Sequence, residues 1–145
     1  MQLRFFIRTV IGSFLLLVGA GLFVACDHQM PMAQQQQPPP AGLQATLSSI
    51  QTNILTPKCA NAGCHPGGGA PMSLRAGDSF GTLVGVNSAY GRPRVAAGNA
   101  NNSALYLKVI GNINVGARMP TIGAALSQAE TDTIKAWINR GALNN

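Results

Sequence analysis

Apolar residues recur at helical spacing in three segments of the chain, and each segment predicts one helix. The first segment predicts an amphipathic helix over residues 43–55. We expect this helix to end before Pro57, because the residue that precedes a proline avoids helical backbone angles. Its apolar face consists of Leu43, Leu47, Ile50 and Ile54.

A second, shorter helix is predicted over residues 104–110. Ser103 is a candidate N-terminal cap, because its side-chain oxygen can accept a hydrogen bond from a free backbone N–H. Gly111 is a candidate stop, because glycine tolerates the left-handed backbone that ends many helices. The apolar residues of this helix are Leu105, Val109 and Ile110.

The last helix has the clearest boundaries. Ser127 is followed three residues later by Glu130, which is the pattern of a capping box. Gly141 stands where the C-terminus of a helix favours glycine. One face of this helix carries Ile134, Trp137 and Ile138.

The segment 66–102 is rich in glycine and proline and has few periodic signals beyond short helical or extended pieces. Together with the three helices it predicts a small all-α domain with long loops over residues 43–145. Leu, Ile, Val and Phe make up only 22 of these 103 residues. A core this thin would be stabilised by a bound apolar group in its middle.

The N-terminus carries a basic region followed by an apolar run. Arg4 and Arg8 precede a charge-free run of 16 residues, Val10 to Ala25. This order is typical of a secretory signal peptide, which we assign to residues 1–25. The alternative is an uncleaved membrane anchor, but the run is shorter than the roughly 20 residues that a spanning helix needs.

Cys26 directly follows the apolar run. The stretch Leu22-Phe23-Val24-Ala25-Cys26 resembles a bacterial lipobox, which implies lipidation of Cys26 and attachment to a membrane. Phe23 stands where that motif usually has leucine. The alternative is a free cysteine at the end of a signal peptide. The following tract, 27–42, is rich in Gln and Pro and predicts a disordered tether.

The composition and charge of the chain argue against a nucleic-acid-binding protein. Only 10% of the residues are charged, and the formal net charge of +6 falls to about +4 once Arg4 and Arg8 are removed with the signal peptide. The remaining basic residues are scattered, so the sequence does not predict a nucleic-acid interface. The positive balance favours solubility or docking to an acidic partner.

The segment Cys59-Ala60-Asn61-Ala62-Gly63-Cys64-His65 is the most informative part of the chain. Two thiols on one short loop, followed directly by a histidine, can attach a haem covalently and ligate its iron. The usual signature is C-x-x-C-H, and here four residues separate the cysteines. A local Cys59–Cys64 disulfide is an alternative in an exported protein. A structural zinc site would need four ligands, and this segment supplies three.

Three stretches in order resemble the small c-type cytochrome domains of exported bacterial lipoproteins and multidomain cytochromes. ILTPKCANAGCHPG is similar to their haem-attachment segment, and NNSALYLKVIG to their middle helix. ARMPTIGAALSQAETDTIKAWINRGAL is similar to their methionine loop and closing helix. The resemblance covers most of residues 50–143.

This resemblance implies one covalent haem c with thioether bonds to Cys59 and Cys64. It implies His65 as the proximal iron ligand and Met119 as the distal one. Met72 is a weaker candidate, because it lies only seven residues after His65 and is expected on the same side of the ring. The alternative for Met119 is a packed core methionine, since methionine commonly fills gaps.

The function expected from the resemblance is a membrane-tethered monohaem electron carrier on the periplasmic or outer-surface side of a bacterial membrane. Its partners would be redox proteins, and the sequence identifies no small-molecule substrate and no enzyme active site. Two alternatives remain open at this stage. One is a haem enzyme or sensor with an open iron site, and the other is a haem-free structural or interaction lipoprotein with a Cys59–Cys64 disulfide.

Overall fold

The computed structural model describes residues 42–67 and 72–145. The predicted signal peptide over 1–25, the lipidation site at Cys26 and nearly all of the tether over 26–42 lie outside the described residues. Within the described ranges, no helix is both long enough and apolar enough to cross a membrane.

The described residues form four α-helices and no β-strand, which confirms the all-α prediction for this part of the chain. Three isolated bridges are the only sheet-like pairings there. Single 3-10 turns lie at Ala100–Asn102 and Ile113–Val115. The α-helices are α1 (Leu47–Ile50), α2 (Ser79–Leu83), α3 (Ala104–Ile110) and α4 (Gln128–Asn139).

The predicted start of the first helix at residue 43 is wrong by four residues. The side chain of Thr46 accepts a hydrogen bond from the backbone N–H of Ser49 at 3.3 Å, so Thr46 caps α1 and the helix begins at Leu47. This cap satisfies an N–H group that has no partner inside the helix. Leu43 lies before the cap and packs against the core from outside the helix.

The predicted end of the first helix is also wrong, because Pro57 lies inside it. After α1 the chain continues directly as a π-helix over Gln51–Cys59, and the two elements together form the first helix of the domain. In an α-helix the proline ring would clash with the carbonyl four residues earlier. The π register instead pairs residues five apart, as in the bond from the Ala60 N–H to the Leu55 carbonyl at 2.7 Å.

The predicted boundaries of α3 are confirmed, but Ser103 acts differently from the prediction. Its hydroxyl accepts a hydrogen bond from the Ala96 N–H and donates one to the Asn99 carbonyl, both at 2.8 Å, and does not cap the helix. Gly111 ends α3 with a φ of +79°, in the left-handed region. Ile110 is 45% exposed and does not share the buried face of the helix.

The predicted capping box of α4 is confirmed. Ser127 and Glu130 exchange both hydrogen bonds of the motif. Gly141 follows the helix with a φ of +101°, as predicted for its C-terminus. The predicted apolar face of α4, made of Ile134, Trp137 and Ile138, is buried.

The core lies where the first helix, α3 and α4 meet. Trp137 is buried at its centre, and its indole N–H donates to the Leu143 carbonyl at 2.9 Å. Two residues after Leu143, the side-chain oxygen of Asn145 accepts a hydrogen bond from the Leu47 N–H at 3.0 Å, which joins this end of the domain to the start of α1. The other fully buried large apolar side chains are Ile50, Ile54, Leu55, Leu83, Val95, Val115, Ile134 and Ile138.

Candidate functional site

A mostly apolar cavity of about 410 Å³ opens between the first helix, α3 and the loop that precedes α4. Its volume lies in the range of small-molecule and cofactor sites, about 300–1,000 Å³. The lining includes Lys58, Cys59, Cys64, His65, Met72, Leu74, Leu83, Tyr90, Arg94, Leu105, Lys108, Val109, Met119, Pro120 and Ile122. All four residues that the sequence nominated for haem binding, at positions 59, 64, 65 and 119, are therefore in contact with one cavity.

The segment from Cys59 to His65 turns back on itself, which brings both cysteines and the histidine to the same wall. Cys59 is the last residue of the π-helix, and its carbonyl accepts a hydrogen bond from the His65 N–H at 3.0 Å. Gly63 has a φ of +83°, a left-handed backbone conformation that residues other than glycine rarely adopt. The long loop between the cysteines therefore depends on glycine at this position.

Both thiols are half-buried, and no disulfide joins Cys59 to Cys64. Burial raises the pKa of Cys59 to about 11, and the neighbouring Cys64 adds to that rise, while Lys58 opposes it. Cys59 is therefore a neutral thiol near pH 7. A thiol in this state is a weak nucleophile on its own.

His65 is half-buried, and its Nδ1 atom is buried without a hydrogen-bond partner. Burial lowers the pKa of His65 below its usual value, and the cations Lys108 and Arg94 lower it further. The backbone of Met72 raises the pKa of His65 and so opposes these effects, although it forms no hydrogen bond of normal geometry with Nδ1. The imidazole is thus neutral near pH 7, the form that coordinates metals.

Met119 lies in the loop before α4, and its backbone N–H donates to the Lys108 carbonyl at 3.0 Å. This bond ties the loop to α3 and brings the half-buried Met119 to the cavity, 54 residues after His65 in the sequence. The peptide bond between Met119 and Pro120 is cis.

Met72 also lines the cavity and packs against the hydrophobic core. The residues that follow it pair with the histidine segment, Ser73 in an antiparallel bridge with Pro66 and the Leu74 N–H with the His65 carbonyl at 2.9 Å, so Met72 lies on the histidine side of the cavity. The two methionines are therefore placed differently, one beside the histidine and one on a separate loop.

An ion pair borders the cavity at the Cys59 end. Lys58 Nζ lies 2.5 Å from Glu130 Oε1, and the side chain of Glu130 is only 13% exposed. The other carboxylate oxygen of Glu130 accepts hydrogen bonds from the N–H and hydroxyl of Ser127. One carboxylate thus joins the end of the first helix to the start of α4.

Several lining residues were not predicted from the sequence. A signal existed for Lys108, because it follows Leu105 by three residues and precedes Val109, so all three lie on one face of α3. Leu74, Tyr90 and Arg94 come from the segment without periodic pattern, where no local signal marks them. In the described ranges, no three His, Cys, Asp or Glu side chains are grouped closely enough to hold a metal ion by themselves.

The comparisons with known proteins give no relative of this chain. No family model, no curated protein and no solved structure matches it.

Proposed function

We propose that residues 43–145 form a small c-type cytochrome domain that binds one haem covalently and carries single electrons between exported redox proteins. The observation that carries this proposal is the convergence of Cys59, Cys64, His65 and Met119 on one apolar cavity. Met119 is separated from the other three by more than fifty residues, so local sequence does not account for its presence at the same cavity.

The chemistry of the lining fits a haem. Two free thiols, at Cys59 and Cys64, supply the atoms for two thioether bonds. A neutral imidazole and a methionine sulfur are the ligand pair found in electron-transfer cytochromes. Arg94 and Lys108 also line the cavity and would provide positive charge for the carboxylates that a haem carries, whereas Lys58 is paired with Glu130.

In this proposal the chain's own residues hold and shield the group. Cys59 and Cys64 would attach it, His65 and Met119 would bind its iron, and Leu74 and Leu105 would exclude water from it. A haem held by a histidine and a methionine would supply one-electron transfer, and the methionine would raise its reduction potential. The protein would therefore be an electron carrier and not an enzyme.

Covalent haem attachment is the direct test. The full chain would be expressed with a cytochrome c maturation system, run on a denaturing gel and stained for haem. We expect a haem-positive band in the wild type and no such band in the double variant Cys59→Ala, Cys64→Ala. His65→Ala should abolish stable haem-loaded protein. A wild-type chain that matures without haem, and instead contains a Cys59–Cys64 disulfide, would contradict the proposal.

We also propose that a lipid on Cys26 tethers the domain to a membrane. The proposal is supported by the position of this cysteine at the end of the apolar run and before the polar tract. Cys26→Ser should move the protein from the membrane fraction to the soluble fraction after cell lysis. Retention of Cys26→Ser in the membrane fraction would favour an uncleaved N-terminal anchor.

A further inference from the structure

Gln51 stands where α1 changes into the π-helix, and its side-chain amide is fully engaged. The Nε2 group donates to the Thr56 hydroxyl and to the Leu74 carbonyl, both at 2.9 Å. The Oε1 atom accepts a hydrogen bond from the Ser79 hydroxyl at 2.6 Å. A primary amide has two N–H groups, so neither donor is left for water.

The bond to Thr56 links Gln51 to the shape of its own helix. Thr56 is five residues after Gln51, which is the spacing of backbone hydrogen bonds in a π-helix. The contact therefore lies within the π-helix that contains Pro57 and ends at Cys59.

The bond to Leu74 links Gln51 to the histidine. Leu74 is 2% exposed, and while its carbonyl accepts from Gln51, its N–H donates to the His65 carbonyl at 2.9 Å. One residue thus joins the amide of Gln51 to the backbone of His65. An antiparallel bridge between Pro66 and Ser73 lies beside this bond.

These contacts close a circuit around the two cysteines. The π-helix runs from Gln51 to Cys59, the Cys59 carbonyl binds the His65 N–H, and the His65 carbonyl binds Leu74, which returns to Gln51. The Gln51 side chain is the one link in this circuit that is not backbone. A substitution there opens the circuit without altering either cysteine or the histidine.

We propose that Gln51 is a positioning residue that fixes His65 on the cavity wall through Leu74. The inference rests on the proposed function, because there His65 acts as the haem ligand. Without the amide, the Leu74 carbonyl loses its donor and the direct link from the first helix to this segment is lost. The segment is then held by the bond from Leu74 to His65, by the Thr82 hydroxyl on the Ser73 carbonyl and by the packing of Leu74 in the core, so we expect a local gain in the freedom of the histidine.

Hydrogen exchange and reduction potential together test this proposal in the full chain. Gln51→Leu keeps the approximate side-chain size and removes all three hydrogen bonds. The control is Asn53→Leu, because Asn53 is exposed and its amide bonds only to Ser49 in the same helix. In Gln51→Leu, exchange of the Leu74 N–H should accelerate about tenfold or more relative to the amides of α4, since a buried carbonyl is left without its donor.

The midpoint potential of haem-loaded Gln51→Leu should also shift from the wild type, whereas that of Asn53→Leu should not. Equal acceleration of the Leu74 and α4 amides would mean that Gln51 contributes only to global stability, and would overturn the inference. An unchanged potential in Gln51→Leu would overturn it as well.

If Gln51→Leu does not fold, Ser79→Ala provides the milder test. It removes one donor to the Gln51 amide, and should accelerate exchange at Leu74 by a smaller factor but still more than in α4. Equal acceleration there would again overturn the inference. Absence of haem from the wild type would contradict the proposed function, while the exchange comparison would still report whether Gln51 restrains the His65 backbone.

Discussion

At the scale of single residues, Met119 is held by its backbone and by a lysine that contacts its loop twice. The Lys108 carbonyl accepts from the Met119 N–H, and the Lys108 ammonium donates to the Ala117 carbonyl at 3.3 Å. The same ammonium lies 4.7 Å from the centre of the Tyr90 ring, a favourable cation–π distance. The loop that carries Met119 is therefore held to α3 by two hydrogen bonds.

The two methionines of the cavity make a matched pair for testing the distal ligand. In haem-loaded protein, Met119→Ala should leave the haem attached, lower the reduction potential and permit carbon monoxide binding to the reduced iron. Met72→Ala is the control and should change neither property. Potentiometry and reduced-state spectra with carbon monoxide measure both effects. If Met119→Ala behaves like the wild type, Met119 is a core methionine.

At the scale of helices, the contact between Lys58 and Glu130 joins the last turn of the π-helix to the first turn of α4. Burial is the largest single influence on Glu130 and raises its pKa. Hydrogen bonds from Lys58 and Ser127 together outweigh burial, so the pKa of Glu130 lies below its usual value. The folded state therefore favours the charged carboxylate.

A lowered pKa predicts the direction in which stability depends on pH. The contribution of Glu130 is present above the pKa of an unfolded-chain glutamate and is lost as the pH falls through the lower pKa of the folded state. Glu130→Gln should reduce the free energy of unfolding by about 1–2 kcal/mol at neutral pH and by little in acid. Urea unfolding at the two pH values measures the difference.

Asp132→Asn is the control for this prediction, because it removes a carboxylate from the same helix. Asp132 is bonded to Gln128 within α4 and does not join two helices. Its substitution should change the free energy of unfolding less than Glu130→Gln at neutral pH. An equal loss in acid and at neutral pH for Glu130→Gln would show that the charge of Glu130 is not what stabilises the contact.

The sequence predicts those elements whose boundaries are set by nearby residues. Ser127, Glu130 and Gly141 act within one or two turns of α4, and Gly111 acts at the end of α3, so local patterns suffice there. The first helix instead continues through Pro57 as a π-helix, and its first π-helical residue, Gln51, bonds to Leu74, 23 residues away. No local pattern contains that contact, and the rule applied to Pro57 holds for α-helices, whereas the chain here has the π register.

The same distinction applies to the cavity. Cys59, Cys64 and His65 were identified from their spacing, and Met119 from a resemblance that spans most of the domain. Tyr90 and Arg94 line the cavity from a segment without periodic pattern, a placement that depends on tertiary contacts.

At the scale of the whole molecule, Asn145 joins the segment after α4 to the first helix of the described domain. Asn145 binds the start of α1 twice, through its side-chain oxygen to the Leu47 N–H and through its backbone oxygen to the Ser48 N–H at 2.7 Å. The first N–H groups of a helix have no partners within it, so a residue 98 positions away acts as a second cap beside Thr46.

This long-range cap predicts a measurable contribution from an exposed residue. Asn145→Ala should lower the free energy of unfolding by about 1 kcal/mol, because one helix-capping bond is lost. Asn144→Ala is a matched control at the neighbouring exposed position. Urea unfolding followed by circular dichroism compares the two variants. Equal stability of both would show that the Leu47 N–H is satisfied as well by water as by Asn145.

Because Asn145 contacts the start of α1, the order of the helices along the chain could be changed while their packing is kept. A short flexible linker could join residue 145 to residue 42, and the chain could then be opened at an exposed turn such as Gly123. The resulting circular permutant would begin with α4 and finish with the Met119 loop. In it, the tether could be attached at a different face of the same domain.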